Sequence, residues 1–240
     1  MKARKARAIS TLSSFLLAGA ASIVITVTGY AQSHWPVIPN AVAQMLQREA
    51  DNRTPTGSAI FYSFYTSSPT DADHEETFFS LTNRHATQAA LIRLLFVNSR
   101  NLEAEEYTLC LPANQTVHWR ASELDPGITG HVFAIASDAT GRPLQFNWLT
   151  GVCGVKNGAA DAVTWQNAVT LAKHTSGVVL PINQSASLLF DGTDYDRLPE
   201  QFAKYLADSR LSLEVSAINC PGKPAFIFKQ RELHTLTRRQ

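Results

Sequence analysis

The chain has 240 residues, with 21 Lys and Arg against 20 Asp and Glu, a formal net charge of +1 at pH 7 and 45% hydrophobic residues. This length and composition are typical of a globular protein with a sizeable apolar core. The lack of a basic excess argues against nucleic acid or anionic lipid as a partner.

Residues 1–31 have the three regions of a secretory signal peptide. Basic residues at positions 2–7 precede an apolar run over residues 15–27, and Gly29 and Ala31 are the small residues that a signal peptidase requires. The run is several residues short of the ~20 needed to cross a bilayer. We therefore expect cleavage after Ala31, no membrane span in the mature chain, and a secreted, periplasmic or cell-envelope location. Because residues 1–31 hold four basic residues and no acidic one, the mature chain would carry 17 basic against 20 acidic residues.

Residues 32–57 have the pattern of a leader or linker. Pro and Gly flank the segment, Asn40 is a suitable helix cap, and Val42, Met45 and Leu46 fall on one helical face. The pattern predicts one short helix in this leader.

Residues 58–157 consist of short apolar, β-branched and aromatic runs separated by turn signals. Seven such runs in about a hundred residues predict an all-β domain, an immunoglobulin-like antiparallel β-sandwich. Val117 and Trp119 should share one strand face because side chains alternate, whereas apolar residues occupy both faces around Arg93, as in a central strand covered on both sides. The seven candidate strands are residues 58–67, 76–83, 88–99, 105–111, 115–122, 131–138 and 143–151.

Two Gly- and Pro-containing stretches, residues 125–130 and 138–143, join candidate strands. A phosphate-binding loop would lead into a helix and would need GxxxxGK[ST] or GxGxxG. The stretch 125–130, "DPGITG", instead leads into the strand-like "HVFAIAS". Pro and Gly here have the backbone preferences of turns, so we predict turns at both places.

Residues 158–240 form a second, smaller β-rich region, either a small domain of its own or an incomplete one. The spacing in 159–174 suits a helix or strands equally. Residues 178–182, 185–192 and 211–219 read as strands, and a short helix is predicted after Pro199.

Five stretches resemble a group of secreted bacterial β-rich proteins with the pattern L-T-N, F-V, C-L-x-x-N-Q-T, D-P-G-x-T-G and F-N-x-L-x-G. The resemblance covers roughly residues 61–199 and implies a β-rich exported protein without implying an activity. Members of the group carry an additional cysteine shortly before the one matching Cys110, which this chain lacks, and they continue with further strands at the C-terminal end. The matching residues here are 81–83, 96–97, 110–116, 125–130 and 146–151.

Three cysteines, Cys110, Cys153 and Cys220, allow at most one intramolecular disulfide. Their wide spacing has no CxxC pair, which argues against structural zinc. Since the additional cysteine of the group is missing, a bond between Cys110 and Cys153 is a guess among the open pairings.

The acidic loop "DGTDYD" offers Asp191, Asp194 and Asp196 as calcium ligands if the loop curls, although it lacks the EF-hand spacing. Solvated loop charge is the preferred explanation of this loop and of "DADHEE" at residues 71–76. We therefore expect no cofactor, with calcium as the one candidate.

No catalytic template fits. The chain has no GxSxG elbow and no HExxH pair, so no catalytic residue is assigned. We expect an exported, non-catalytic β-sandwich module that binds a protein or a glycan surface. The alternative is a secreted hydrolase that uses carboxylates, or His118 and His131, in a cleft.

The stretch "IFYSFY" supplies the candidate ligand-binding residues Phe61, Tyr62 and Tyr65. Strict alternation would place Tyr62 with Phe64 on one face and Phe61 with Tyr65 on the other. One aromatic face should line the core. The other is either open to a ligand or covered by the C-terminal region.

Overall fold

The computed structural model describes residues 55–71, 74–158, 162–203, 206–218 and 227–235. The predicted signal peptide and most of the leader lie outside these residues. The strands are β1 Ala59–Thr66, β2 Glu75–Asn83, β3 Ala90–Asn98, β4 Glu103–Leu111, β5 Gln115–Arg120, β6 Thr129–Ser137, β7 Leu149–Asn157, β8 Val163–Asn167, β9 Val169–Leu171, β10 Ser185–Leu189, β11 Arg210–Glu214 and β12 Ile227–Thr235. The helices are α1 Ala121–Leu124, α2 Glu200–Ala203 and a 3₁₀ turn at Ala207–Ser209.

The strands pair antiparallel in three sheets. A six-stranded sheet has the order β12-β4-β3-β6-β1-β9 and a four-stranded sheet the order β5-β2-β7-β8, while β10 pairs with β11. The fold is therefore all-β with short helices, as the sequence predicts. None of the helices in the described ranges has the length and hydrophobicity needed to cross a membrane.

The first core cluster takes side chains from both large sheets. Tyr62 of β1 packs edge-on against Phe79 of β2, and Phe79 stacks on Trp119 of β5 with ring centroids 5.2 Å apart. Val117 also lies in this cluster, which confirms the predicted alternation in β5. Two sheets that share one apolar core are consistent with a β-sandwich.

A second core cluster covers the other face of the six-stranded sheet. Phe61, Leu95 and Phe133 of that sheet are buried together with Leu188 of β10 and Leu211 of β11. The C-terminal region therefore forms a third layer, which explains why β3 is apolar on both faces.

The exception in β3 is Arg93, which is fully buried. Its guanidinium forms a two-point ion pair with Glu106 of β4, through Nε to Oε1 and through Nη2 to Oε2 at 2.6 Å. Nη1 also donates to the Gly141 carbonyl at 3.2 Å. A buried guanidinium needs this counter-charge and these acceptors, because desolvation of an unpaired charge is costly.

The distribution of strands between the two large sheets differs from that of a constant-type immunoglobulin domain. Here β1, β3, β4 and β6 lie in one sheet and β2, β5 and β7 in the other. In the immunoglobulin arrangement the first, second, fourth and fifth strands share a sheet. The chain thus crosses between sheets after β1 and again after β2.

Two predicted strands are wrong: one begins later than predicted and the other does not form. The stretch 143–151 is a loop up to Trp148, and β7 begins only at Leu149, because the backbone of Gln145 pairs with Gly177 and Trp148 turns back on Phe146. The stretch 178–182 makes two isolated bridges, from Val178 to Leu144 and from Ile182 to Ser185, and forms no strand. A proline at position 181 has no amide hydrogen to continue a ladder.

The second β-rich region contributes strands to both large sheets. Residues 163–171 form β8 and β9, so the segment is extended and not helical; β8 pairs with β7 and β9 pairs with β1. Backbone pairing also joins β12 to β4. The short helix α2 follows Pro199 as predicted.

Both predicted turns are present. Gly127 and Gly141 have positive φ values of 79° and 81°, a conformation that glycine adopts without strain. Asp138 fixes the second turn by accepting hydrogen bonds from the backbone and hydroxyl of Thr140 and from Arg142. Neither stretch leads into a helix that could bind phosphate.

Candidate functional site at the loop end around Asn83 and Trp148

The aromatic candidates of β1 do not face a ligand. Phe61, Tyr62 and Tyr65 are 1%, 0% and 0% exposed, so none of these ligand-binding candidates is open to a ligand. Of the two predicted alternatives for the second aromatic face, covering by the C-terminal region is the one found. A β-bulge between Tyr62 and Tyr65 adds a residue to the strand. Tyr65 therefore joins Tyr62 in the first core, Phe61 lies in the second, and Phe64 is left 40% exposed.

The three aspartates of the acidic loop have separate protein partners. Asp194 accepts from Lys173 Nζ at 2.5 Å, Asp196 contacts His174 Nε2 at 2.9 Å, and Asp191 accepts from the Thr193 amide at 2.7 Å. The described part of the chain contains no group of three His, Cys, Asp or Glu side chains arranged to hold a metal ion. The contacts of Asp194 and Asp196 anchor the loop to residues 173 and 174, which directly follow β9, whereas that of Asp191 stays within the loop.

His118 and His131, the histidines of the alternative hydrolase, lie on opposite sides of the first core. His118 faces outward from the four-stranded sheet, whereas His131 packs against Phe61 and Phe133 in the second cluster. Burial lowers the pKa of both, that of His131 to about 4. The fold does not bring them together as a catalytic pair.

Glu76 in β2 carries a buried carboxylate that has hydrogen bonds with uncharged donors. It accepts hydrogen bonds from the Ser122 hydroxyl, the Ser122 amide at 3.1 Å and the Thr77 amide at 2.9 Å. Burial raises its pKa, and these hydrogen bonds oppose the rise. Its acceptor atoms are used to fix the start of α1 beside the sheet.

The cysteines are in different states. Cys110 is disulfide-bonded, while Cys153 is a free, fully buried thiol whose pKa burial raises to about 12. The guessed Cys110–Cys153 bond is therefore wrong, because Cys153 on β7 points into the first core beside Gln166 of β8. Cys220 lies outside the described residues.

Three loops meet at one end of the two large sheets, around the buried side chain of Asn83. Its Nδ2 donates to the carbonyls of Gln88, Leu111 and Pro112 at 2.9, 3.2 and 3.1 Å. Its Oδ1 accepts from the His85 amide at 2.9 Å. One side chain thus joins the loop after β2 to the loop after β4. We call residues 83–89, 112–114 and 146–148 the loop end.

Trp148 is the exposed aromatic residue of the loop end. Its side chain is 48% exposed, its carbonyl accepts from the Arg84 amide at 2.9 Å, and its ring meets the His85 ring edge to face at 5.2 Å. The His85 ring also stacks on Phe146, which is buried. The indole therefore packs against His85, which in turn stacks on Phe146 of the first core.

Hydrogen bonds to distant strands fix the backbone next to Trp148. The Phe146 amide donates to the Ser58 hydroxyl at 2.6 Å, and that hydroxyl donates to Asn147 Oδ1 at 2.6 Å. Asn147 also exchanges hydrogen bonds with the backbone of Lys173 at 2.8 and 3.0 Å. The loop is thus preorganised, which lowers the entropy cost of binding.

Exposed polar residues lie on the loops that contact the Trp148 loop and His85. Arg84, Gln88 and Asn114 are exposed on the two neighbouring loops. Next to these loops lies a cleft of about 210 Å³. It is lined by Gln88, Leu91, Ser137, Leu144 and Phe146 among others. The loop end therefore combines an apolar platform with hydrogen-bonding groups, the usual composition of a recognition surface.

Sequence reasoning missed this site because it placed Trp148 inside a strand. Three of the motifs that carry the resemblance, 81–83, 110–116 and 146–151, supply the loop end. These motifs place Asn83, Asn114 and Trp148 at or between strand ends. This pattern could have indicated the loop end, since binding residues concentrate in loops that a rigid scaffold positions.

The protein is thus an all-β protein with a preorganised aromatic loop end. No protein-family model matches the chain, and no curated protein matches it significantly. The crystal structure of Thermotoga maritima 1070 is similar over 49% of this chain and 97% of that one, at 9% identity and a TM-score of 0.37. A likeness this slight carries no argument about function.

Proposed function

We propose that the protein is an exported, non-catalytic binding module of the cell envelope or extracellular space, and that it binds a glycan at the loop end. The observation that carries the proposal is the half-exposed Trp148 on its support of His85 and Phe146. The signal-peptide pattern of residues 1–31 supports export.

A glycan fits the chemistry of this surface better than an apolar peptide does. The C–H face of a sugar ring packs on an indole, and its hydroxyls need planar donors and acceptors around that ring. Arg84, Gln88 and Asn114 offer such groups. Trp148 is the exposed aromatic ring of this surface, whereas a helix-binding groove would need several apolar anchors in a row.

The test is binding of the purified protein to a glycan array and to isolated cell-wall polysaccharide. Trp148→Ala should weaken binding at least roughly 30-fold, because a central aromatic contact contributes about 2 kcal/mol or more. Ile182→Ala is the matched control, since Ile182 is 77% exposed and belongs to another loop. Equal binding by both variants would refute the assignment of the loop end, and retention of protein partners without any glycan would refute the ligand class.

Export and the lack of catalysis are tested separately. N-terminal sequencing of the protein from its host should begin at Gln32. A broad esterase, glycosidase and peptidase screen should give no turnover. Turnover that disappears on His118→Ala or Glu76→Gln would favour the secreted hydrolase.

A further inference from the structure

The cleft beside the loop end opens where the pairing between β3 and β6 stops. Leu91 and Ser137 form the last pair of this ladder. On one side the chain continues into the loop of residues 83–89, and on the other it turns back at residues 138–142. The two strands separate here, and the cleft of about 210 Å³ has lining residues from both sides of the gap.

Backbone hydrogen bonds hold the walls of the cleft in place. Leu144 donates its amide to the Ala136 carbonyl at 3.0 Å, and the Ala136 amide donates to the Ser58 carbonyl at 2.9 Å. The Phe146 amide donates to Ser58 Oγ at 2.6 Å. The cleft therefore exists before a ligand arrives, which lowers the entropy cost of binding.

The cleft combines apolar walls with a buried hydroxyl. The hydroxyl belongs to Ser137, which is buried, and its hydrogen bond to the Ile135 carbonyl is long at 3.4 Å. It can therefore turn to a better acceptor in the cleft, and its lone pairs can accept a hydrogen bond. The buried apolar residues of the lining are Ala90, Ala136 and Phe146.

Asp138 also lines the cleft, and its charge is matched within its own turn. Oδ2 accepts from Nε and Nη2 of Arg142 at 2.9 and 2.7 Å, and Oδ1 accepts from the amide and the hydroxyl of Thr140 at 2.9 and 2.7 Å. Because these bonds occupy the carboxylate, the cleft favours a neutral group over a cation. An anionic group on a ligand would be repelled by Asp138.

The volume and position of the cleft indicate that it holds one part of a larger ligand. Pockets that enclose a whole small molecule measure about 300–1,000 Å³, whereas this cleft has about 210 Å³. Phe146 lines the cleft and stacks on His85 with ring centroids 5.7 Å apart, and His85 meets Trp148 at 5.2 Å. The cleft and the exposed indole thus lie within the length of a short oligosaccharide.

We propose that the cleft binds the acetamido group of an N-acetylated sugar, in a glycan whose neighbouring ring packs on Trp148. This inference rests on the proposed glycan binding at the loop end and specifies the class of glycan. The acetamido methyl group buries apolar surface against Ala136 and Phe146. Its amide has Ser137 and the exposed Gln88 as hydrogen-bonding partners. A sugar with a hydroxyl at that position loses the apolar contact.

The test is a titration of the purified protein, followed by NMR of isotope-labelled alanine methyl groups and tryptophan indoles. The methyl groups of Ala90 and Ala136 report on the cleft, and the indole of Trp148 reports on the loop end. N-acetylated chitotriose should shift both sets of signals. Cellotriose, which has hydroxyls in place of the acetamido groups, should shift the indole alone and bind at least about tenfold more weakly.

A larger side chain at the rim tests the cleft by mutation. Ala89→Leu narrows the cleft at an exposed lining residue, and it should weaken binding of N-acetylated chitotriose about tenfold while leaving the affinity for cellotriose unchanged. The matched control, Ala139→Leu, makes the same change at an exposed residue that directly follows Asp138 and lies outside the lining. It should leave both affinities unchanged.

The two readouts separate this inference from the proposed function. Equal affinity for the two oligosaccharides, with shifts of the Trp148 indole and none of the Ala90 and Ala136 methyl groups, would overturn the inference and leave the proposed function standing. Unchanged binding of N-acetylated chitotriose by Ala89→Leu would also overturn it. Shifts of the alanine methyl groups without the indole would support the cleft and refute the role of Trp148, whereas no shift at either place would refute both.

Discussion

The ion pair between Arg93 and Glu106 is the buried feature whose disruption should cost most stability. The side chains are 1% and 0% exposed, and the two-point contact is supplemented by the Gly141 carbonyl. Glu106→Gln keeps the shape and an acceptor oxygen but removes the negative charge, so that the guanidinium stays buried without a counter-charge.

The expected cost follows from that uncompensated charge. Breaking one side of a buried pair costs about 3–5 kcal/mol. In a protein of this size about 1 kcal/mol shifts the melting temperature by roughly 2–4 °C, so the variant should melt about 6–20 °C lower. Arg93→Met combined with Glu106→Leu removes both charges and should be within about 1 kcal/mol of the parent protein, or more stable.

Thermal melting by circular dichroism and urea unfolding measure both variants and the single Arg93→Met. The double variant should be more stable than Glu106→Gln, and the coupling between the two sites should be positive in a double-mutant cycle. A Glu106→Gln variant within about 0.5 kcal/mol of the parent protein, or a double variant less stable than either single one, would refute this account of the pair.

Three other predictions concern titration, thiols and metal. Burial lowers the pKa of His131 to about 4. The folded protein therefore keeps its full stability above the unfolded pKa near 6.5 and loses up to about 3 kcal/mol as the pH falls towards 4. In the His131→Leu variant the free energy of unfolding, measured by urea titration, should depend less on pH over that range. Thiol counting in denaturant should find one free thiol without reductant and three with it, and Cys153 should not react in the native protein; peptide mapping should join Cys110 to the remaining cysteine. Millimolar calcium or chelator should leave the melting temperature unchanged, because the aspartates of 191–196 already have protein partners; a calcium-dependent rise would restore the metal site.

Local patterns in the sequence determined the fold class and most strands. Alternation of Val117 and Trp119 set one face of β5, and the apolar run around Arg93 marked β3 as covered on both sides. Pro and Gly placed the turns at 125–130 and 138–143. These features follow from backbone preferences and side-chain period, which act over a few residues and are therefore visible in the chain.

Only the tertiary structure decided which residues reach the surface. A single-residue bulge moved Tyr65 into the first core and left Phe64 exposed, because one extra residue reverses the side on which later side chains point. Trp148 became the centre of the candidate site because Asn83 ties together loops that lie far apart in the chain. Long-range hydrogen bonds and the closing of the second core by the C-terminal layer have no local signature, so the sequence alone could not locate the loop end.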